Sequence, residues 1–237
     1  MRAAVVLFPG SNADTEMIRT LVDVAGIPTD VAWHKETSLP AGVDLVVLPG
    51  GFAHGDYLRS GALAKASPII GAVRAHAARG GLVLGVCNGF QILVETGLLP
   101  GALTRNAHRR FECGSVFVTV RTEGPFTRGL TGRTLRLMIA HGEGRYVEPH
   151  EGLPASAIAL QYTTADGTCT PSANPNGSAR DIAGVYGGPA RNVLGLMPHP
   201  ERMSEPVHGG TDGRLFFESA ITALAERTET PRAAGAP

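Results

Sequence analysis

The chain has 237 residues, and its 21 Lys and Arg balance 21 Asp and Glu to a formal net charge of zero. With 18% charged and 43% hydrophobic residues it is not a disordered chain, and it has enough apolar surface for a large core. Balanced charge argues against a general nucleic-acid binder, which needs a basic excess. Every apolar run is far shorter than the roughly 18 residues of a membrane helix.

Residues 1–8 are too short an apolar stretch for a signal peptide and read as a first strand, 3–8, ending at Pro9-Gly10. A helix over 14–25 follows. Met17, Ile18, Leu21, Val22 and Ala25 share one face, residues 11–14 offer caps, and Gly26 is the stop. The pattern then predicts a strand at 44–48, a helix over 62–79, a strand at 82–86 and a helix over 89–96. Further apolar runs lie at 116–120, 135–139 and 193–197. Continuous rather than alternating apolarity in these runs is the mark of a parallel sheet. From about residue 105 to 186 helical periodicity fades and turns such as Asn174-Pro175-Asn176-Gly177 appear. That stretch reads as antiparallel strands inserted into the main sheet or extending it. Leu215, Phe216, Ala220, Ile221 and Leu224 make a last amphipathic helix, and residues 228–237 read as a frayed tail behind one domain, 1–227. The expected fold is α/β: a doubly wound, mostly parallel sheet flanked by helices, with an additional antiparallel strand region.

Such sheets place their sites at the carboxyl ends of strands. The strongest local signal there is Gly85-Val86-Cys87-Asn88-Gly89, a nucleophile-elbow spacing with cysteine in the central position. Small neighbours let strand and helix backbones meet at the turn, and the dipole of the new helix favours a thiolate. The Asn88 N–H points where an oxyanion forms. The alternative is that Cys87 is simply a small buried hydrophobe; the flanking glycines favour the nucleophile. Cys113 and Cys169 carry no such signature and read as structural, and with no CxxC pairing a Cys-rich zinc site is not expected. Wide spacing and an odd count suggest free thiols in a reducing cytoplasm.

A thiol nucleophile needs a base. Among eight histidines, His199 directly follows an apolar strand in Met197-Pro198-His199-Pro200-Glu201. Flanking prolines suggest a rigid, non-helical segment, in which Glu201 lies on the same side as His199 and orients its ring. A solvated turn is the competing reading. Pro49-Gly50-Gly51 can bring backbone N–H groups close to a ligand, as half of an oxyanion hole or as an ordinary turn. Gln91 stands one turn beyond Cys87, and can reach over the site or be merely solvated. No nucleotide-phosphate loop is visible.

In this order, a Gly-Gly turn, a Cys elbow and His-x-Glu, the chain resembles the class I (triad) glutamine amidotransferases, whose fold is flavodoxin-like. Within them it is similar to the glutaminase subunits of phosphoribosylformylglycinamidine synthase, from purine biosynthesis. The similarity rests on the segments 50–62, 85–91, 140–146, 174–178 and 197–202 and runs from Val5 to about Glu226. The resemblance implies Cys87 as nucleophile, His199 as base and Glu201 as its orienting acid. It places Gly51 and Asn88 at the oxyanion hole, and Gln91, His141, Gly142 and Glu143 at the glutamine. Ala53-His54 departs from the Ser-Tyr more usual in the family, which puts a second ionisable group beside the oxyanion turn. The implied activity hydrolyses glutamine and channels ammonia to an ATP-dependent synthetase that acts on formylglycinamide ribonucleotide. The implied partners are that large synthetase subunit and a small accessory subunit, with neither nucleic acid nor membrane. No cofactor or metal is implied in this chain; ATP and Mg²⁺ serve the synthetase. Two other classes remain open: a cysteine hydrolase or peptidase of similar fold, and a non-catalytic binding subunit. A glutamine amidotransferase serving another synthetase is a further alternative.

Overall fold

The computed structural model describes residues 1–229. Of the tail expected at 228–237, residues 228 and 229 still belong to the last helix and the rest lie outside the described residues. The described residues form eleven strands: β1 (Ala3–Leu7), β2 (Thr29–Trp33), β3 (Leu45–Leu48), β4 (Leu82–Val86), β5 (Ala102–Thr104), β6 (Glu112–Val120), β7 (Thr134–His141), β8 (Arg145–Val147), β9 (Ile158–Thr163), β10 (Ile182–Gly187) and β11 (Val193–Leu196). Nine of them make one sheet in the order β2-β1-β3-β4-β11-β10-β9-β6-β7, and β5 pairs with β8 separately. From β2 to β11 all neighbours are parallel; from β11 to β7 all are antiparallel.

The inner parallel strands are covered on both faces, which their sequences require, whereas the edge strand β2 is largely half-buried or exposed. β1 (AAVVL), β3 (LVVL) and β4 (LVLGV) are almost wholly buried. The runs 116–120 and 135–139 correct the parallel reading, because they form the centres of the antiparallel pair β6 and β7. β7 alternates: Leu135, Leu137, Ile139 and His141 are buried, while Thr134, Arg136, Met138 and Ala140 are half-buried, so one face carries its core contacts.

Four α-helices cover the sheet: α1 (Asp14–Arg19), α2 (Ile69–Ala78), α3 (Asn88–Glu95) and α4 (Arg214–Glu229). α1 continues as a π-helical turn, Thr20–Val24. The expected helix 62–79 is shorter than predicted. A 3₁₀ turn at Ala64–Ala66 ends in an extended Ser67, and α2 starts only after Pro68. Proline disfavours the helical region for the residue before it, so the helix cannot pass through Ser67. Among the described residues no helix is long and apolar enough to cross a membrane.

Candidate active site

The loops after β1, β3, β4, β7 and β11 meet around a cavity of about 340 Å³. Gly51, Cys87, Gln91, His141, Gly142, Glu143 and His199 all line it. Glu201 lies behind His199, and Asn88 is buried beneath the turn that carries Gly51. The topology thus brings together residues from six separate segments of the sequence.

Cys87 stands between β4 and α3 with φ 51° and ψ −105°, a backbone region rarely open to a side chain. The strain is imposed from both sides. The Cys87 N–H donates to Leu196 O at 2.9 Å, continuing the parallel ladder, while its carbonyl already accepts from Gln91 N–H at 3.1 Å, the first turn of α3. Closeness of strand and helix explains the elbow glycines: a Cβ on Gly89 would collide with the carbonyl of Leu48, and one on Gly85 would lie 2.7 Å from the Gly89 carbonyl oxygen. The first N–H groups of α3 have no partner within the helix, and Cys87 is the residue that precedes them.

His199 Nδ1 is 2.5 Å from Glu201 Oε1, and both side chains are buried. Burial works against a charged ring, but the Glu201 carboxylate, with the Cys87 sulfur adding to it, raises the His199 pKa to about 10. Among the described residues its Nε2 has no hydrogen-bond partner. The segment is not the extended, non-helical one expected. His199 itself is extended, but Pro200–Met203 forms a 3₁₀ turn with Pro200 at its first position. Proline suits the start of a helical turn, because its fixed φ is already helical and its missing N–H is not needed there. The backbone of His199 is fixed from across the sheet, its N–H donating to Met138 O on β7 at 2.7 Å.

Gly50 and Gly51 make room for close approaches. A Cβ on Gly50 would stand 2.7 Å from Cε1 of His199, and Gly51, at φ 150°, faces the backbone of residues 10–12. The turn is pinned by the Asn88 side chain. Its Oδ1 accepts from Ala53 N–H at 3.0 Å, and its Nδ2 donates to Asp56 Oδ1 at 3.1 Å and to Gln91 Oε1 at 2.9 Å. Gln91 in turn donates from Nε2 to Glu143 O at 2.7 Å. It therefore braces the cavity wall, and keeps one amide N–H for another acceptor.

His141 is buried and donates from Nδ1 to Asn106 Oδ1 at 3.1 Å. Burial lowers its pKa to about 4, aided by the nearby His199, so the ring is neutral at pH 7. The Glu143 carboxylate accepts from Ser60 Oγ at 2.9 Å. Asp56, Ser60, Phe111 and Arg202 also line the cavity, and sequence patterns gave none of them a role. Asp56 and Ser60 lie inside the 50–62 segment, whose polar residues between glycines were the available signal. His54 does not line the cavity; its ring packs on His34 and Phe8. Cys113 and Cys169 are exposed, free and outside it.

A family model for the CobB/CobQ-like glutamine amidotransferase domain matches residues 1–212. Phosphoribosylformylglycinamidine synthase subunit PurQ of Bradyrhizobium diazoefficiens is 51% identical over 223 residues, covering 92% of this chain and 95% of that protein. The subunit of the same name from Rhodospirillum rubrum is 48% identical, covering 94% of this chain and all of that protein. Among solved structures, a chain of PurLQS from Thermotoga maritima superposes with a TM-score of 0.83 at 40% identity, covering 94% of this chain and 98% of that one.

Proposed function

The chain belongs to the CobB/CobQ-like glutamine amidotransferase family, and from that membership we propose that it is the glutaminase subunit of phosphoribosylformylglycinamidine synthase. It hydrolyses glutamine to glutamate and passes ammonia to a large synthetase subunit in the cytoplasm, with a small accessory subunit completing the complex. Cys87, His199 and Glu201 are the catalytic triad. The chain uses no cofactor or metal of its own; ATP and Mg²⁺ act on the synthetase, which converts formylglycinamide ribonucleotide to formylglycinamidine ribonucleotide.

The observation that carries this reading is the strained Cys87 turn opening into the cavity lined by the Glu201-bound His199. At neutral pH the ring is held protonated by Glu201, and the reaction begins with the Cys87 sulfur as the nucleophile. The Cys87 sulfur attacks the side-chain amide carbon of glutamine. Negative charge moves to the amide oxygen, where the N–H groups of Gly51 and Asn88 receive it. His199 gives its proton to the departing nitrogen, ammonia leaves, and a glutamyl thioester remains on Cys87. The now neutral His199 takes a proton from water, the hydroxide equivalent attacks the thioester, and collapse releases glutamate and the thiolate. His141, Gly142, Glu143 and Gln91 form the wall against which the amino-acid end of glutamine lies.

The test is glutamate release from glutamine by the chain in complex with the synthetase subunit. Cys87→Ala is expected to lower turnover by at least about a thousandfold, as loss of a triad nucleophile does. Ammonia-dependent synthesis by the same complex should survive. Glutaminase activity retained in Cys87→Ala would overturn the assignment.

A further inference from the structure

Glu201 has an unusual balance of support. Oε1 is bound to His199, but Oε2 is buried without a protein partner. One carboxylate oxygen thus has no side-chain contact to fix it, and the placement of the carboxylate leans on its backbone. That backbone is held by two buried hydroxyls. Ser204 Oγ donates to the Glu201 carbonyl at 2.9 Å, and Thr20 Oγ1 lies 3.3 Å from the same oxygen and 3.1 Å from Ser204 Oγ. Thr20 has one proton to give, so its bonds to the carbonyl and to Ser204 Oγ are alternatives; either way it closes a three-member network on Glu201. Thr20 is 2% and Ser204 1% exposed.

Thr20 is 181 residues from Glu201 and outside every segment that carries the family resemblance. It is the first residue of the π-turn, where Ala25 N–H reaches back five residues to Thr20 O at 2.9 Å. Such widened turns are rare and recur at functional sites. On either side of the hydroxyl contact α1 is tied to the same stretch by Arg202–Glu16 at 2.7 Å and Arg19–Glu205 at 3.1 Å. These ion pairs are exposed or half-exposed and contribute little on their own. The buried hydroxyls are the fixed part of the contact.

We propose that Thr20 and Ser204 are positioning residues for the glutaminase reaction, holding the Glu201 carbonyl so that its carboxylate keeps the His199 ring aimed at the thiol and the leaving nitrogen. This rests on the triad reading above. The transition state needs the ring at a set angle, whereas glutamine binding does not, so the loss on removing a hydroxyl falls on kcat.

The experiment compares Thr20→Val, Thr20→Ser and Ser204→Ala in the complex with the synthetase, with Cys87→Ala alongside. Thr20→Val is expected to lower glutaminase kcat by about tenfold and leave KM for glutamine within about twofold. Thr20→Ser, which keeps the hydroxyl, should restore kcat. A second readout needs no turnover: the proton of the short His199–Glu201 bond, seen as a far-downfield NMR resonance, should move in Thr20→Val and return in Thr20→Ser. Should Thr20→Val fail to fold, Ser204→Ala carries the same readouts. Wild-type kcat with an unmoved resonance in Thr20→Val overturns the proposal, as does a loss that Thr20→Ser does not rescue. Activity persisting in Cys87→Ala would instead overturn the triad reading, leaving the resonance to decide the role of Thr20.

Discussion

Two buried histidines lining the cavity are held in opposite charge states. His199 is raised to about 10 by the Glu201 carboxylate and the Cys87 sulfur acting against burial, and His141 is lowered to about 4 by burial. In the unfolded chain both titrate near about 6.5. A raised group stabilises the fold fully below its unfolded pKa and loses that contribution as pH rises through the folded value. For His199 the loss therefore runs from about pH 6.5 to about pH 10. A lowered histidine does the reverse: its contribution is present above about pH 6.5 and is lost as pH falls toward about 4. Urea midpoints measured from pH 4 to 10 should thus fall on both sides of a maximum near about pH 6.5. Glu201→Gln, which removes the largest raising influence on His199, should flatten the alkaline limb and leave the acid limb alone. An unchanged alkaline limb in that variant would show that Glu201 does not set the charge of His199. The identities of Cys87, His199 and Glu201 were legible in the sequence because each is fixed by close neighbours. The charge of the His199 ring was not, because burial and its neighbours Glu201 and Cys87 set it.

At the scale of elements, the elbow works because α3 sits almost in contact with the end of β3. Gly89 is where they touch, and a Cβ there would meet the Leu48 carbonyl. Gly89→Ala should force helix and strand apart and lower unfolding free energy by about 1–3 kcal/mol, the usual cost of overpacking. The urea midpoint of Gly89→Ala against wild type measures it; an unchanged midpoint would mean that α3 can shift without cost. The glycine spacing 85–89 made this contact readable, since only small residues permit it. The same local reading misjudged the His199 segment. Two prolines suggested an extended run, yet Pro200 begins a 3₁₀ turn, and Glu201 reaches the ring through that turn. It misjudged the helix 62–79 too, where apolar periodicity outweighed the restriction that Pro68 puts on Ser67. Propensity and period report on windows of sequence, and a single proline can start a turn or interrupt a helix depending on what packs around it.

Across the whole molecule the sheet changes character at β11, and the site straddles the change. The parallel half presents Cys87 and the Gly51 turn; the antiparallel half presents His141, Gly142 and Glu143 on the loop after β7. The parallel half was foreseeable from its apolar runs except for its edge strand β2, which is mixed and half-exposed, while the antiparallel half was read only as a region, because its pairings are long-range. The residues that shape it were equally hidden. Asn106, 1% exposed, donates from Nδ2 to the carbonyls of Arg110 and His141 at 2.8 and 2.9 Å, and accepts at Oδ1 from His141 Nδ1 and Gly144 N–H at 3.1 and 3.0 Å. Asn176, fully buried, donates to Gly144 O at 2.9 Å from the other side. These asparagines hold the loop after β7, the proposed glutamine wall, and neither lines the cavity that holds the thiol. Substrate holding and thiol activation should therefore separate. Asn106→Ala, which leaves His141 Nδ1 and the Gly144 N–H without their buried acceptor, should raise KM for glutamine by about tenfold or more, given the cost of an unpaired buried donor. The rate at which iodoacetamide alkylates Cys87 should stay close to wild type, because the hydrogen bonds of Asn106 run to residues 109–110, 141, 142 and 144 and not to β4, α3 or the His199–Glu201 pair. A parallel fall in alkylation rate would show that the loop and the thiol are set by one rigid unit, and that the two halves of the sheet do not divide the work.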